Sequence, residues 1–201
     1  MHISEGVLSN KIIIISYILT IIFLIIGLKK TDYKKMPKVA VFSSAFFIAS
    51  FIHIPIGPSS VHLILNGLIG IFLGWAAFPA IFVGLLFQAI MFQFGGWTTL
   101  GANTFNMAIP SILVYIFFKK IVISKNKFIT LISGFFAGFL AVLLAGILVA
   151  ISLYFSNENF INVIKIFLIS HFPVMLVEGI ITMFIINFIK QVKPELLLNE
   201  V

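Results

Sequence analysis

The apolar run VHLILNGLIGIFLGWAAFPAIFVGLLFQAIMFQF, residues 61–94, governs how many times the chain crosses a membrane. As one helix it would be about 50 Å long, because an α-helix rises about 1.5 Å per residue, whereas the hydrocarbon layer of a bilayer is about 30 Å thick. The run contains Gly74 and then Pro79, and proline is tolerated at the start of a helix but not in its interior. Residues 61–94 therefore predict two helices, at about 61–74 and 77–94, joined by a tight hairpin.

The composition of the whole chain predicts a lipid environment. Apolar residues make up 61% of the sequence and charged residues 9%, and the mean hydropathy is +1.22. A soluble domain carries about 25% charged residues, because it must present a polar surface to water. Cysteine is absent, so there is no disulfide framework, thiolate metal site or thiol nucleophile. The composition therefore predicts an all-α, polytopic bundle in the lipid bilayer.

Five further apolar segments have the length of membrane-spanning helices, which need about 20 residues. They lie at about 11–28, 38–54, 104–123, 128–155 and 160–190. Together with the two helices of the hairpin, they predict seven transmembrane helices.

Lysine placement supports this number and predicts the orientation. Lysines cluster at residues 29–38, 119–127 and 190–193, and cytoplasmic loops carry an excess of basic residues. Seven spans place all three clusters on one side, whereas six would place the second cluster opposite the first. The N-terminus is therefore predicted outside and the C-terminus in the cytoplasm of a multi-pass cell-membrane protein. Because the lysines lie beside apolar spans, the net charge of +7 does not indicate nucleic-acid binding.

The chain is predicted to form a single transmembrane domain over residues 1–201. It comprises an external tail (1–10), a helical bundle (11–190) and a cytoplasmic tail (191–201). The first apolar segment is interpreted as a retained helix and not as a signal peptide. Glu5 precedes it without a basic region, and Lys29 and Lys30 follow it where a small-residue cleavage site would lie.

The N-terminal pair Met1-His2 offers three nitrogens within one peptide unit: the terminal amine, the His2 backbone nitrogen and a His2 ring nitrogen. A histidine at position two is expected to leave Met1 in place, because removal of the methionine requires a small second residue. Ni(II), Cu(II) and low-spin Co(II) accept planar sets of nitrogen ligands, whereas Zn(II) prefers a tetrahedron. The pair therefore predicts a transition-metal site at the outer face.

A fourth nitrogen would come from another segment on the outer side. His62 follows the turn-forming run Pro58-Ser59-Ser60 and is predicted to open a helix. An ionisable residue at membrane depth is costly and is therefore a functional candidate. Spacing alone leaves two interpretations of His62 open: a metal ligand, or a histidine hydrogen-bonded to a neighbouring loop.

Other polar residues are candidates for supporting roles. Metal-ligating histidines usually donate their second ring nitrogen to a polar group, and Glu5 is placed to orient the tail or a ligating imidazole. The remaining candidates for support around the metal are His53, Ser59, Ser60 and Asn103.

Within the last span, we expect His171 to bond another helix and Glu178 to serve helix packing or contact with a partner subunit. The glycine-rich loop at 95–103 is either a roof over the metal pocket or an ordinary connection.

Four motifs, in order along nearly the whole chain, resemble one known family. They are MHI-x-EG at residues 1–6, GPSSVHLILNGLIG at 57–70, FQ-x(5)-FGGWTTLGANTFNMA at 87–108 and H-x-PVMLVEG at 171–179. In these motifs the chain is similar to the CbiM/NikM family, the substrate-binding membrane subunits of energy-coupling-factor transporters for cobalt and nickel.

This resemblance implies a ligand set and a transported ion. The family binds its ion through the N-terminal amine, the backbone and ring nitrogens of the second-position histidine, and the histidine of the SSVH segment. The corresponding residues are Met1, His2 and His62. The resemblance implies that Co(II) or Ni(II) is imported from the outer face as substrate, with no resident cofactor. The SSVHL form of the motif favours cobalt, destined for cobalamin synthesis.

The resemblance also implies partners. They are a transmembrane coupling subunit, two ATP-binding cassette ATPases and, in many cases, a small accessory membrane subunit. The sequence contains no ATP-binding motif, so ATP hydrolysis is expected in the partners and the chain is not expected to be an enzyme. Two other classes remain as alternatives to a nickel or cobalt subunit. An ion-coupled permease would require inverted repeats and intramembrane charge, and an intramembrane metalloenzyme would require a general base beside the metal.

Overall fold

The computed structural model describes residues 2–51, 53–56 and 59–198, and for residues 53–56, 59–61 and 198 it describes the backbone only. The helices are α1 (Asn10–Lys30), α2 (Met36–Ala49), α3 (Asn66–Leu73), α4 (Ala77–Phe92), α5 (Leu100–Val122), α6 (Lys127–Ser156), α7 (Ile161–Val192) and α8 (Glu195–Leu198). Strands β1 (His53–Ile56) and β2 (Ser59–His62) pair antiparallel between α2 and α3. Short 3-10 turns at Tyr33–Lys35, Gly74–Ala76 and Glu158–Phe160 precede α2, α4 and α7.

The predicted number of helices is confirmed, because the seven predicted spans correspond to α1–α7 and the additional α8 has only 4 residues. In the described part of the chain, 5 segments are long and apolar enough to cross a membrane. They are Asn10–Lys30, Asn66–Phe92, Leu100–Val122, Lys127–Ser156 and Glu158–Val192. Helices α2 and α3 have 14 and 8 residues, or about 21 Å and about 12 Å, and are thus shorter than the hydrocarbon layer. The chain is a polytopic helical membrane protein in which α2 and α3 are each too short to cross the layer alone.

Two predicted helical segments extend too far. The sequence predicts helix over 38–54 and 61–74, but α2 ends at Ala49, residues 53–56 and 59–62 are extended, and α3 begins at Asn66. His62 therefore ends a strand and does not open a helix. Pro55 accounts for part of the difference, because it has no N–H group and disfavours the helical conformation in the preceding residue. Short apolar runs also do not distinguish a strand from a helix by periodicity.

The predicted break between α3 and α4 is present at Gly74. This glycine has a φ of +56°, and a Cβ atom there would lie 3.1 Å from the Tyr115 ring. Both its left-handed conformation and the lack of space favour glycine. Pro79 lies in the first turn of α4, where its missing N–H group leaves no helical hydrogen bond unmade. The chain therefore reverses direction at residues 74–76.

Helix α3 lies inside the bundle, whereas α1 presents an apolar face outward. All residues of α3 are buried, and a Cβ atom at Gly67 would lie 2.5 Å from the Ala137 carbonyl oxygen on α6. In contrast, Ile14 and Ile18 on α1 are 59% and 53% exposed, as expected for a face in contact with lipid. Because protein surrounds α3, the irregular backbone at residues 63–65 is tolerated at membrane depth.

The bundle has two chemically different ends. At one end, here called the histidine end, lie the N-terminal tail, the β-hairpin and the loop 93–99. There the Ser9 backbone N–H donates to Ser156 Oγ at 3.2 Å. At the opposite lysine end, Lys38 Nζ donates to the Leu196 carbonyl at 3.1 Å, and Lys30 Nζ lies 3.8 Å from the centroid of the Trp75 ring. The predicted lysine clusters collect at this end, and the assignment of the lysine end to the cytoplasm stays a prediction.

Candidate metal centre

The N-terminal tail is held against the start of α5 by one asparagine. Asn103 Oδ1 accepts the Ile3 N–H at 2.9 Å, and Asn103 Nδ2 donates to the Ile3 carbonyl at 3.1 Å. Asn103 Nδ2 also donates to Thr99 Oγ1 at 3.3 Å, which fixes the orientation of the amide. Ile3 and Asn103 are both buried. Since His2 immediately precedes Ile3, these bonds position the His2 ring.

The glycine-rich loop between α4 and α5 contacts the same tail. Glu5 Oε1 accepts the Thr98 N–H at 3.0 Å. Gly95 and Gly96 have φ values of +81° and +114°, and a Cβ atom at Gly95 would lie 2.6 Å from Asn103 Nδ2. A Cβ atom at Gly96 would overlap the Glu5 side chain. The loop therefore fits closely over the tail, and in the described contacts Glu5 bonds this loop.

His2 and His62 lie side by side at the histidine end. His2 Nδ1 and His62 Nε2 are 3.1 Å apart, and the ring centroids are 4.8 Å apart with an angle of 28° between the ring planes. His62 is only 4% exposed. The structure thus brings together two predicted site residues that are distant in the sequence.

Hydrogen bonds on the far side of each ring determine which nitrogens carry hydrogen. His62 Nδ1 lies 2.8 Å from the Leu63 carbonyl, and His2 Nε2 lies 2.8 Å from Gln88 Oε1. The Gln88 amide is oriented by its Nε2 group, which donates to the Phe47 carbonyl at 3.4 Å. Because both partners are oxygen acceptors, these two ring nitrogens donate, and each neutral ring carries its lone pair on the other nitrogen. The lone pairs of His2 Nδ1 and His62 Nε2 therefore face each other.

Burial keeps both rings neutral. Desolvation lowers the pKa of His2 from 6.5 to about 3, and it lowers the pKa of His62 well below 6.5. A proton is therefore unfavourable between the two nitrogens at neutral pH. Two facing lone pairs repel each other, and a cation that accepts both would remove this repulsion. The arrangement suits a metal ion that prefers nitrogen ligands.

Several predicted site residues lie wholly or partly outside the described structure. Met1 is outside the described residues. The backbone of His53 pairs with that of His62 in the hairpin, but the side chains of His53, Ser59 and Ser60 are not among those described. Their supporting roles stay predictions. In the part of the chain that the structure describes, no group of three or more His, Cys, Asp or Glu residues is arranged to hold a metal.

The two polar residues predicted inside the last span lie on α7. His171 Nδ1 donates to the Phe167 carbonyl of its own helix at 2.8 Å, and its Nε2 has no hydrogen-bond partner among the described residues. The expected bond from His171 to another helix is therefore absent from the described contacts. Glu178 accepts hydrogen bonds from the backbone of Ile64 and Leu65, in agreement with a role in helix packing.

Gln88 was not predicted from the sequence. This side chain is fully buried and supplies the acceptor that sets the His2 tautomer. Two signals were available: an amide side chain in an otherwise apolar helix, and its place at the start of the third motif. Neither signal identifies His2 as its partner, because 86 residues separate them in the sequence.

The apolar helices α1–α7 define a polytopic membrane protein, and at one end a buried His62 and a partly buried His2 bring two ring nitrogens together. The family model described as cobalt uptake substrate-specific transmembrane region, CbiM, matches residues 2–196. The chain belongs to this family of cobalt and nickel transport proteins, and it is accordingly a transport protein and not an enzyme.

Curated relatives cover the chain almost completely. A putative metal transport protein of Haemophilus influenzae is 38% identical and covers 98% of this chain and 97% of its own length. The cobalt transport protein CbiM of Thermosipho melanesiensis is 34% identical, with 100% and 91% covered. A putative fused nickel transport protein NikMN of Archaeoglobus fulgidus is 32% identical, with 98% and 68% covered. Relatives are thus named for both metals.

Two kinds of solved structure share the fold. A transition metal transporter superposes with a TM-score of 0.82 at 28% identity, covering 96% of this chain and 93% of that chain. The S-component for biotin of an ECF-type ABC transporter superposes with a TM-score of 0.60 at 23% identity, covering 79% and 91%. The second likeness establishes a common architecture only.

Proposed function

We propose that this chain is the substrate-binding membrane subunit of an ATP-driven energy-coupling-factor transporter that captures Co(II) or Ni(II) for import. The ligands are the Met1 amine, the His2 backbone nitrogen, His2 Nδ1 and His62 Nε2. The observation that carries the proposal is the pair of facing ring nitrogens, 3.1 Å apart. The histidine end is the outer face, where the ion is captured.

The separation of the two ring nitrogens fits neighbouring positions around one ion. With metal–nitrogen bonds of about 2.0 Å, neighbouring ligands in a plane are about 2.8 Å apart and opposite ligands about 4.0 Å apart. The observed 3.1 Å is close to the first value. The amine and backbone nitrogens that precede the His2 ring would complete a planar set, which Ni(II) and low-spin Co(II) accept.

The surrounding residues support the ligands in the way usual for metal sites. A ligating imidazole commonly donates its other nitrogen to a carbonyl or carboxylate, which fixes the ring and raises its basicity. Gln88 accepts from His2 and the Leu63 carbonyl accepts from His62. Asn103 and Glu5 hold the tail that carries His2. Each imidazole is thus oriented before the ion arrives.

The proposal includes partners and a destination. Because the sequence contains no ATP-binding motif, a transmembrane coupling subunit and two ATP-binding cassette subunits would drive import, with a small accessory membrane subunit in some assemblies. The fold shared with a biotin S-component supports this assembly. We propose cobalt, for cobalamin synthesis, with nickel as the alternative cargo. The protein would reside in the cell membrane.

Equilibrium dialysis of Co(II) and Ni(II) against purified variants tests the ligand set. We expect His2→Ala and His62→Ala each to lose high-affinity binding. His171→Ala is the matched control, because this buried histidine bonds only its own helix in the described contacts, and it should bind nearly as the wild type does. Wild-type affinity in His62→Ala would refute the ligand set.

Uptake assays test the coupling separately. Co(II) uptake into cells should require co-expression of the coupling and ATPase subunits. Uptake by the chain alone, driven by an ion gradient, would instead support a secondary permease.

A further inference from the structure

Glu178 is an acidic residue in the interior of the bundle, on α7. Its side chain is 0% exposed. Oε1 accepts hydrogen bonds from the Ile64 N–H and, at 2.8 Å, from the Leu65 N–H. Oε2 is buried and has no hydrogen-bond partner among the described residues. Because an ionisable group at membrane depth is costly, its presence beside residues 64–65 calls for a function.

A single peptide group connects Glu178 to His62. The peptide between Leu63 and Ile64 donates its N–H to Glu178 Oε1, and its carbonyl lies 2.8 Å from His62 Nδ1, which donates to it. On the other side of the imidazole, His62 Nε2 faces His2 Nδ1. A continuous chain of hydrogen bonds therefore runs from the carboxyl group through one peptide and one imidazole to the candidate metal-binding nitrogen.

We propose that Glu178 is a positioning residue for the ion site and acts through the Leu63–Ile64 peptide on His62. Hydrogen bonds in a chain polarise one another, so the acceptor at the N–H end makes the Leu63 carbonyl a better acceptor for His62 Nδ1–H. That bond fixes the ring and its tautomer and raises the basicity of Nε2. The inference rests on the proposed function, in which His62 binds the ion.

The local backbone explains why support from another helix is needed. Residues 63–65 form neither strand nor helix, Leu65 has a left-handed φ of 57°, and α3 has no side-chain cap at its start. A left-handed conformation is unfavourable for a residue other than glycine. The two bonds from Glu178 on α7 hold this segment, and with it the carbonyl that orients His62.

A purely structural role makes a different prediction from the proposed one. If Glu178 only packs helices together, Glu178→Gln should lower the stability of the protein. It should not cause a loss of Co(II) affinity that depends on the presence of His62. Thr182 provides a matched control, since it lies one turn further along α7, is fully buried, and has a hydroxyl oxygen with no hydrogen-bond partner in the described part of the chain.

The experiment compares purified Glu178→Gln, Thr182→Val, His62→Ala and the double variant Glu178→Gln/His62→Ala. Co(II) affinity is measured by equilibrium dialysis, and the ligand-field absorption of the Ni(II) complex reports the donor strength of the bound nitrogens. Glu178→Gln replaces the carboxyl group by an amide oxygen, a weaker acceptor for the Ile64 and Leu65 N–H groups than a carboxylate. We expect it to bind Co(II) about 10-fold more weakly, at the lower end of the range for residues that orient metal ligands, with a shifted Ni(II) band. Thr182→Val should match the wild type in both measurements. In the His62→Ala background, Glu178→Gln should cause no further loss of residual binding.

Two results would overturn the inference. One is wild-type affinity and an unshifted Ni(II) band in Glu178→Gln; the other is an equal loss of affinity with and without His62. If Glu178→Gln does not fold, Glu178→Asp is measured in the same way, since its shorter side chain withdraws the carboxyl group from the peptide. An unshifted band in that variant also overturns the inference. Wild-type affinity in His62→Ala removes the ligand set of the proposed function, whereas wild-type affinity in Glu178→Gln alone removes only the role of Glu178.

Discussion

Replacing Asn103 by alanine tests whether the docked tail prepares the ion site. Asn103 makes two hydrogen bonds to the backbone of Ile3, at 2.9 Å and 3.1 Å, and the side chain is 2% exposed. Asn103→Ala removes both bonds and leaves a small cavity beside the tail. His2 is adjacent to Ile3 in the chain, so it then loses its main described anchor to α5.

The expected loss follows from the two bonds. A hydrogen bond contributes about 1 kcal/mol net, so the tail loses about 2 kcal/mol of docking free energy, which corresponds to about a 30-fold change in an equilibrium constant. The ion binds only the docked tail, and its apparent affinity falls with the fraction of molecules in the competent state. Co(II) should therefore bind up to about 30-fold more weakly, with the full factor reached when the ion-free tail is mostly undocked.

Asn106→Ala is the matched control. Asn106 is also a buried asparagine on α5, but its Nδ2 group donates to Ser152 Oγ on α6, at 3.2 Å, and not to the tail. Equilibrium dialysis of Co(II), with thermal unfolding of the same samples, separates stability from ion binding. Both variants should be less stable, and only Asn103→Ala should lose affinity. Unchanged affinity in Asn103→Ala, or an equal loss in Asn106→Ala, would refute the reasoning.

Three further predictions concern the His2 ring, its protonation and the orientation of the bundle. Gln88→Leu removes the acceptor of His2 Nε2–H and should weaken Co(II) binding about 10- to 100-fold in the same dialysis assay; an unchanged affinity would mean that Gln88 does not orient the ring. Burial lowers the pKa of His2 to about 3, so below the ordinary value of about 6.5 an undocked tail binds a proton that the docked tail does not. The docking equilibrium constant of the tail, and with it the Co(II) affinity, should therefore fall by up to about tenfold per pH unit below about 6.5. A Co(II) affinity that is constant between pH 5 and 6.5 would contradict this. A cysteine introduced at position 98 should react with an impermeant maleimide in intact cells, and one at position 125 should not; the reverse pattern would invert the predicted topology.

The helices could be predicted because their signals are local. Apolar segments of spanning length and the lysines beside them predict seven helices, and the sequence from Gly74 to Pro79 predicts the turn between α3 and α4. The β-hairpin could not be predicted in this way. Its two strands have only 4 residues each, and such short runs are compatible with either strand or helix. The irregular backbone at 63–65 is held by hydrogen bonds to Glu178, which lies 114 positions after Ile64 and 113 after Leu65.

The candidate site was only partly predictable. The sequence singles out Met1, His2 and His62 as ligands, and the structure brings the two histidine rings together; their role in binding the ion stays a prediction. The supporting contacts depend on tertiary packing. Asn103 was one of several polar candidates near the outer loops, and only the structure places it on the tail. Gln88 had no predicted role, because its partner comes from a segment distant in sequence.

The state of the N-terminal amine tests the central claim most directly. A residue added before Met1 converts the amine into an amide, which lacks a basic lone pair, while every side chain of the bundle is retained. A tag of the same length after Val201 provides the control at the other terminus. Co(II) affinity is measured by equilibrium dialysis for both tagged forms and for the untagged protein. The N-terminal extension should abolish high-affinity binding and the C-terminal extension should leave it unchanged; wild-type affinity in a protein shown to retain its N-terminal extension would contradict the proposed mechanism of ion capture.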